Sequence, residues 1–258
     1  MDSFYSFNLW KIPTHFPELH EHEIHLWWSD TTEFESLISE KLHWLSAAEL
    51  ERAQRFHFLK DRQLFLASRL ILRKILGNYL SQNPASIEFE VNPFGKPFLR
   101  TVADEPPLYF NISHSKNVLV IAASRSFDVG IDVEFLDESR SIQSIAQAHF
   151  ASHEFSDFSA ASLAEQVDLF FQYWTGKEAL LKACGKGLSI ELQSFALHWN
   201  ENQTIAAVYS LDRPDLENWL IENVESPDVS WKIAMARPRE ENVQSSYWKF
   251  LPDYLLAS

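Results

Sequence analysis

The chain passes twice through the same succession, a helical stretch followed by short alternating strands, and this double pass limits what it can fold into. In the first pass "SAAE" has the form of a capping box, in which Ser46 can cap a helix and Glu49 can reach back to it. A further helix is predicted over about residues 61–80, where Leu66, Leu70, Ile71 and Ile75 recur at helical spacing. "IEFEV" (87–91), "LYFNI" (108–112), "VLVIAA" (118–123) and "VGIDVEFL" (129–136) then read as strands, separated by turn chemistry such as "NPFGKP". The second pass begins near residue 141, and "SLAE" supplies another capping box, Ser162 with Glu165. The helix it heads runs to about Cys184, where Gly185 suits the stop. "FALHW" (195–199), "TIAAVYS" (204–210) and "WKIAMA" (231–236) return to strand. The expectation is an α+β protein of two comparable α/β lobes, residues 1–127 and 128–258, with a site at their seam.

Composition narrows the function classes. With 46% hydrophobic and 22% charged residues over 258 positions, the chain can bury a core and is not of disordered type. No run approaches the roughly 18 apolar residues that cross a bilayer, and "MDSFYSFNLW" lacks the basic start and apolar core of a secretory signal. A cytoplasmic chain is expected. The single cysteine, Cys184, excludes an internal disulfide framework and zinc sites that need several thiolates. A formal charge of −14 argues against a surface that coats nucleic acid or membrane, since both need clustered positive charge.

Against that acidic background, residues 52–74 form a basic island: Arg52, Arg55, Lys60, Arg62, Arg69, Arg73 and Lys74 face one acid, Asp61. If the helices there were nearly continuous, Arg55, Arg62, Arg69 and Arg73 would share one side, either as a solvated basic face or as an anion site. In "VGIDVEF", strand alternation puts Asp132 and Glu134 on one face, about 7 Å apart. Such a pair is either solvated or neutralised by a cation, and oxygen-only ligands favour Mg²⁺. On the long second helix, Val167, Phe171, Trp174, Glu178 and Leu181 follow one apolar stripe, which is a costly place for an unpaired carboxylate. Lys182 lies one turn on, whereas Lys177 points about 100° away. A Glu178–Lys182 helix pair accounts for part of this pattern and leaves its position in the apolar face unexplained.

"FNISHS" (110–115) ends a strand in Asn111, Ser113, His114 and Ser115, a cluster suited to hydrogen bonding a phosphate or base. No G-x-S-x-G elbow accompanies it, so a hydrolase triad is a weak reading. "GKGLS" is not a nucleotide P-loop, and no G-x-G-x-x-G is present. "HEHEIH" carries His20, His22 and His25, but as a loop leading into the strand "EIHLWW" it needs no metal.

Taken in order, "FGKP", "FNISHS", "VGIDVE" and "WTGKEALLKACGKGL" resemble the 4′-phosphopantetheinyl transferases of the larger, surfactin-synthetase-associated type. The resemblance implies a pseudo-twofold pair of α/β lobes with coenzyme A and Mg²⁺ between them. It implies transfer of phosphopantetheine to a serine of an acyl or peptidyl carrier protein, in fatty-acid, polyketide or nonribosomal-peptide synthesis; two lobes in one chain remove the need to dimerise, so a monomer is expected. A non-catalytic coenzyme A binder and a Mg²⁺-dependent phosphohydrolase are the alternatives. By the same resemblance Asp132, Glu134 and Glu178 bind the metal, and Glu178 and Lys182 are catalytic. Arg55, Arg62, Arg69, Lys96, Ser113, His114, Lys177 and Lys182 are the coenzyme-binding set. Leu64 departs from the family pattern, which often has an arginine there.

Overall fold

The computed structural model describes residues 9–100, 106–137, 139–210, 212–240 and 242–256. Most of the stretch read for a secretory signal, residues 1–8, lies outside them. The chain opens with β1 (Glu23–Asp30), then α1 (Glu35–Lys41), α2 (Ala47–Gln54) and α3 (Leu59–Leu80). A small hairpin, β2 (Phe89–Val91) with β3 (Pro97–Leu99), precedes β4 (Tyr109–Ser115) and β5 (Val118–Ser124). The second half runs β6 (Gly130–Phe135), α4 (Ile142–His149), α5 (Ser152–Ala160), α6 (Leu163–Cys184), β7 (Ala196–Trp199) and β8 (Ile205–Tyr209). It ends with β9 (Trp219–Val224), β10 (Trp231–Pro238), β11 (Gln244–Lys249) and α7 (Pro252–Leu256).

Local chemistry sets the helix ends. The Ser46–Glu49 and Ser162–Glu165 capping boxes both form, satisfying amide groups that the first turns leave open. Gly185 takes a left-handed φ of 64° at the end of α6, a conformation in which a side chain would be strained.

Two sheets form, ordered β11-β1-β5-β4 and β6-β10-β9-β8-β7. Strand alternation gives each sheet two apolar faces. Leu119, Ile121 and Trp27 of the first sheet pack with Leu70, Ile71 and Ile75 of α3. On the second, Leu197, Ala206 and Ile221 pack with Phe171, Leu180 and Ala183 of α6. The opposite faces meet each other: Ile24, Leu26, Val118 and Val120 share a core with Ile131, Val133, Ile233 and Met235. The layers are therefore helices, sheet, sheet, helices, and this is the expected two-lobed α+β arrangement with a seam. The division at residue 127 needs one correction. β11 pairs in parallel with β1, and Phe250 and Leu255 enter the first lobe's core. The last described segment of the chain thus completes the first sheet, because β1 presents an open edge that only a strand arriving from the far end covers.

In the "HEHEIH" stretch His20 and His22 are exposed, and His25 is buried in the core. Trp27 Nε1 donates to Tyr79 Oη at 2.8 Å, and Tyr79 Oη lies 2.7 Å from His25 Nδ1. With Trp27 as donor to it, the tyrosine hydroxyl gives its own proton to His25, which is held neutral. Burial lowers the His25 pKa to about 4 from 6.5, with nearby Glu23 opposing. Between these values the unfolded chain takes up a proton that the folded chain refuses, so stability present above pH 6.5 is lost as pH falls toward 4. The expected loss is on the order of 3 kcal/mol. Urea unfolding at pH 7 and pH 4.5 measures it, and His25→Gln should flatten the slope; an unchanged slope in that variant refutes the assignment.

Candidate active site

The site grows from one close approach. On β6, a Cβ added at Gly130 would lie 2.0 Å from the Ala179 carbonyl oxygen and 2.5 Å from the Ala183 amide. No other residue lets α6 cross β6 so tightly. That crossing brings the next residue on the same face, Asp132, to α6, where Lys182 Nζ donates to Asp132 Oδ1 at 2.6 Å. Ser113 Oγ of β4 donates to the same oxygen at 2.9 Å and accepts from Lys182 Nζ at 2.7 Å. Asp132 is buried, and its Oδ2 has no hydrogen-bond partner among the described residues. Two residues along, Glu134 Oε2 accepts from Ser115 Oγ at 3.0 Å, and its Oε1 lies 3.7 Å from Arg140.

Glu178 lines the same hollow as Asp132, Glu134, Lys182, Ser113, His114 and Trp174. Its pKa is raised, first by desolvation and then by the Asp132 charge; Glu134 is raised for the same two reasons in the same order. Like charges share a desolvated space and both hold their protons more tightly. Among the described residues no three His, Cys, Asp or Glu side chains are gathered closely enough to cage a metal ion. Asp132, Glu134 and Glu178 stand around one hollow without closing on its centre, and the Lys182 ammonium supplies positive charge at Oδ1. The donor set itself suits a hard divalent cation: three carboxylates, one with an orphaned buried oxygen.

From this end the groove continues. Ile112, Glu178 and Lys182 also line a second hollow with Phe94, Gly95, Lys96, Pro97, Leu181 and Gly185, and Pro97 leads on to a third lined by Arg52, Phe65, Arg69 and Phe89. The three volumes, about 370, 260 and 480 Å³, lie in series, a shape that accepts an elongated ligand rather than a compact one. Arg69 stacks over Phe65 and Phe89, with Glu49 3.8 Å away. His114 lines the hollow of Asp132 and Glu178, and its pKa is lowered by desolvation and then by Lys182 and Arg69. Lys96 reaches the groove too, but its ammonium is held by Asp128 at 2.7 Å and the Ala183 carbonyl at 2.8 Å, tying the hairpin loop to the end of α6.

Other expected residues fall elsewhere. Lys177 is not in the groove. It is fully buried and spends its three protons on Glu154 (2.8 Å) and the carbonyls of Leu192 and Phe195 (both 2.7 Å), so a coenzyme cannot reach it. Arg55 and Arg62 are exposed and line none of these hollows. The chain breaks between α2 and α3, so the arginines that a continuous helix would align do not share a face. Arg73, on the same expected face, lines the third hollow, but it is buried and its guanidinium is held by Glu49 (2.7 Å) and two carbonyls. Leu64 lines a separate hollow with Lys60 and Lys116. The sequence leaves Arg52 out of the coenzyme-binding set and gives no sign of Arg140 or of the carboxylate contact of Ser115. Arg52 was visible in the basic island, whereas Arg140 follows β6 in a loop that no spacing rule marks.

The match to known proteins follows the same two lobes. Residues 27–126 match the family model described as 4′-phosphopantetheinyl transferase, N-terminal, and residues 128–236 match that of the 4′-phosphopantetheinyl transferase superfamily. The 4′-phosphopantetheinyl transferase HetI of Nostoc sp. is 38% identical over 167 residues, covering 65% of this chain and 70% of its own. The 4′-phosphopantetheinyl transferase Sfp of Bacillus subtilis is 30% identical over 195 residues, covering 75% and 82%. Two matched halves meeting at the β4–β6 seam, together with relatives that this chain covers over more than two thirds of their length, make it a member of the 4′-phosphopantetheinyl transferase superfamily.

Proposed function

We infer that this chain moves the 4′-phosphopantetheine group of coenzyme A onto a serine hydroxyl of an apo acyl or peptidyl carrier protein and releases adenosine 3′,5′-bisphosphate. The observation that carries the reading is the contact of α6 with β6, which sets Asp132, Glu178 and Lys182 at one end of a long groove whose other end holds Arg52 and Arg69. A ligand anionic at both ends and elongated between them suits that layout. Arg52 and Arg69, backed by Phe65 and Phe89, would hold the terminal phosphate and the nucleotide.

In the reaction the serine oxygen attacks the phosphorus nearest the pantetheine. The bridging P–O bond breaks, and its electron pair leaves on the adenosine bisphosphate. Lys182, aimed by Asp132 and Ser113, faces the pyrophosphate and steadies the charge that develops on it. Glu178, whose raised pKa makes it a better proton acceptor than an ordinary carboxylate, takes the serine proton. Mg²⁺ held by Asp132, Glu134 and Glu178 would supply further positive charge at the pyrophosphate. Both lobes come from one chain, so a monomer suffices for the site.

The test is direct. Purified protein, coenzyme A, Mg²⁺ and a panel of apo carrier domains are incubated, and the carriers are weighed by mass spectrometry. Gain of one phosphopantetheine group is expected. No gain on any carrier overturns the reading, and release of phosphopantetheine without an acceptor would identify a hydrolase instead.

A further inference from the structure

The two sheets meet edge to edge between β4 and β6 without a backbone ladder. Instead, side chains of β4 stand in for carbonyls. Asn111 Oδ1 accepts from the Ile131 amide at 3.0 Å, Ser113 Oγ from Val133 at 3.3 Å and Ser115 Oγ from Phe135 at 3.3 Å. The alternation of β4 presents every second residue to the seam, and the alternation of β6 presents every second amide, so three bonds form in register. A serine hydroxyl that accepts still has one proton to give. Ser113 gives it to Asp132 Oδ1 and Ser115 gives it to Glu134 Oε2.

We propose that Ser113 and Ser115 are positioning residues: by accepting from the β6 backbone and donating to the β6 carboxylates, they use the joint between the lobes to aim Asp132 and Glu134 for a divalent cation. The geometry divides the labour. Each serine occupies one carboxylate oxygen and thereby turns the other, and Asp132 Oδ2 is the oxygen left buried and unpaired. Lys182, bonded to the same Ser113 hydroxyl, is registered against the same joint. Asn111 makes the seam bond through its amide oxygen and gives no hydrogen bond to Asp132 or Glu134. The motif "FNISHS" therefore acts on the carboxylates through the second and third of its seam-facing positions, Ser113 and Ser115, and on the groove through His114.

This inference rests on the metal role given above to Asp132, Glu134 and Glu178, and the test separates the two. The full chain is titrated with Mn²⁺ alone, free Mn²⁺ being read by electron paramagnetic resonance and displaced with Mg²⁺, and each variant is checked by circular dichroism and thermal unfolding. Ser113→Ala and Ser115→Ala are expected to weaken Mn²⁺ binding about tenfold or more, the usual effect of removing an outer hydrogen-bond partner of a metal ligand. Ser115→Thr, which keeps the hydroxyl, should restore it. Asn111→Ala should lower the Tm as a loss of one seam bond does, while leaving Mn²⁺ affinity within about twofold of the wild type. Ser115, half-buried near the end of its strand, carries the decision if Ser113→Ala fails to fold. Wild-type affinity in a folded Ser115→Ala protein overturns the proposal alone, as does an equal loss in Asn111→Ala. No Mg²⁺-displaceable Mn²⁺ on the wild type overturns the metal role and the proposal together.

Discussion

Lys177→Met is expected to cost the protein about 3–5 kcal/mol of stability, the usual consequence of removing one partner from a buried ion pair. Lys177 and Glu154 are both completely buried and lie 2.8 Å apart. The lysine pKa is lowered by desolvation, with Glu154 opposing that shift. Methionine fills nearly the same volume, so packing changes little. What changes is that the Leu192 and Phe195 carbonyls lose their donor and the Glu154 carboxylate loses its counter-charge. Glu154 still accepts from the amides of Ala151 and Leu197, which keeps it in place as a charge without compensation. Adding Glu154→Gln should recover part of the loss, since a neutral amide needs no partner charge. Urea unfolding of the single and double variants measures both effects. A coenzyme-binding lysine predicts the opposite pattern, intact stability with a raised KM for coenzyme A, and that outcome would return Lys177 to the groove.

Glu178→Gln is the second large effect, and it falls on turnover. Glutamine has almost the same shape, but it cannot accept the serine proton and contributes no charge toward a cation. Loss of a general base typically costs about 10²–10⁴ in rate. Transfer by the variant should fall within that range or below detection, followed as the mass of the carrier over time. Stability should not fall, because the mutation removes a buried charge from beside two like charges: desolvation first, then Asp132 and Glu134, raise the pKa of Glu178. Unaltered transfer in Glu178→Gln would exclude the base role and weaken the metal role together. Unfolding without residual structure would instead mean that Glu178 is a structural residue, contrary to its half-buried place on the groove wall.

The two predictions concern neighbours in sequence, and the contrast shows what a linear reading could reach. Helical spacing puts residues 177 and 178 about 100° apart, so one faces the seam if the other does not. Which of them does so depends on what packs around α6. The helix is buried on most sides: Phe171, Gln172, Thr175, Gly176, Ala179 and Leu181 are all covered. In such a helix an apolar stripe no longer marks one face, and the charged residues need partners from other elements. Lys177 finds Glu154 on α5, a residue whose sequence signal is only that of a helix start. The basic island misled for a similar reason. Four residues of non-helical chain between α2 and α3 break the phase, so Arg69 and Arg73 reach the groove, Arg73 with its guanidinium held by Glu49, while Arg55 and Arg62 face solvent.

By itself the sequence determined the long helices, their capped ends and most of the strands, because capping boxes, a C-terminal glycine and strand alternation act over a few residues. It also determined that Asp132 and Glu134 share a face and that Glu178 and Lys182 lie one turn apart, since both follow from fixed periodicities. The tertiary structure decided the rest. Gly130 admits α6 to β6 at a distance that only the packed helix reveals, and "FNISHS" became a joint because β4 and β6 happen to lie edge to edge. β11 joined the first sheet across more than two hundred residues of chain, through backbone hydrogen bonds that every residue but proline can make and that therefore leave no mark in the sequence.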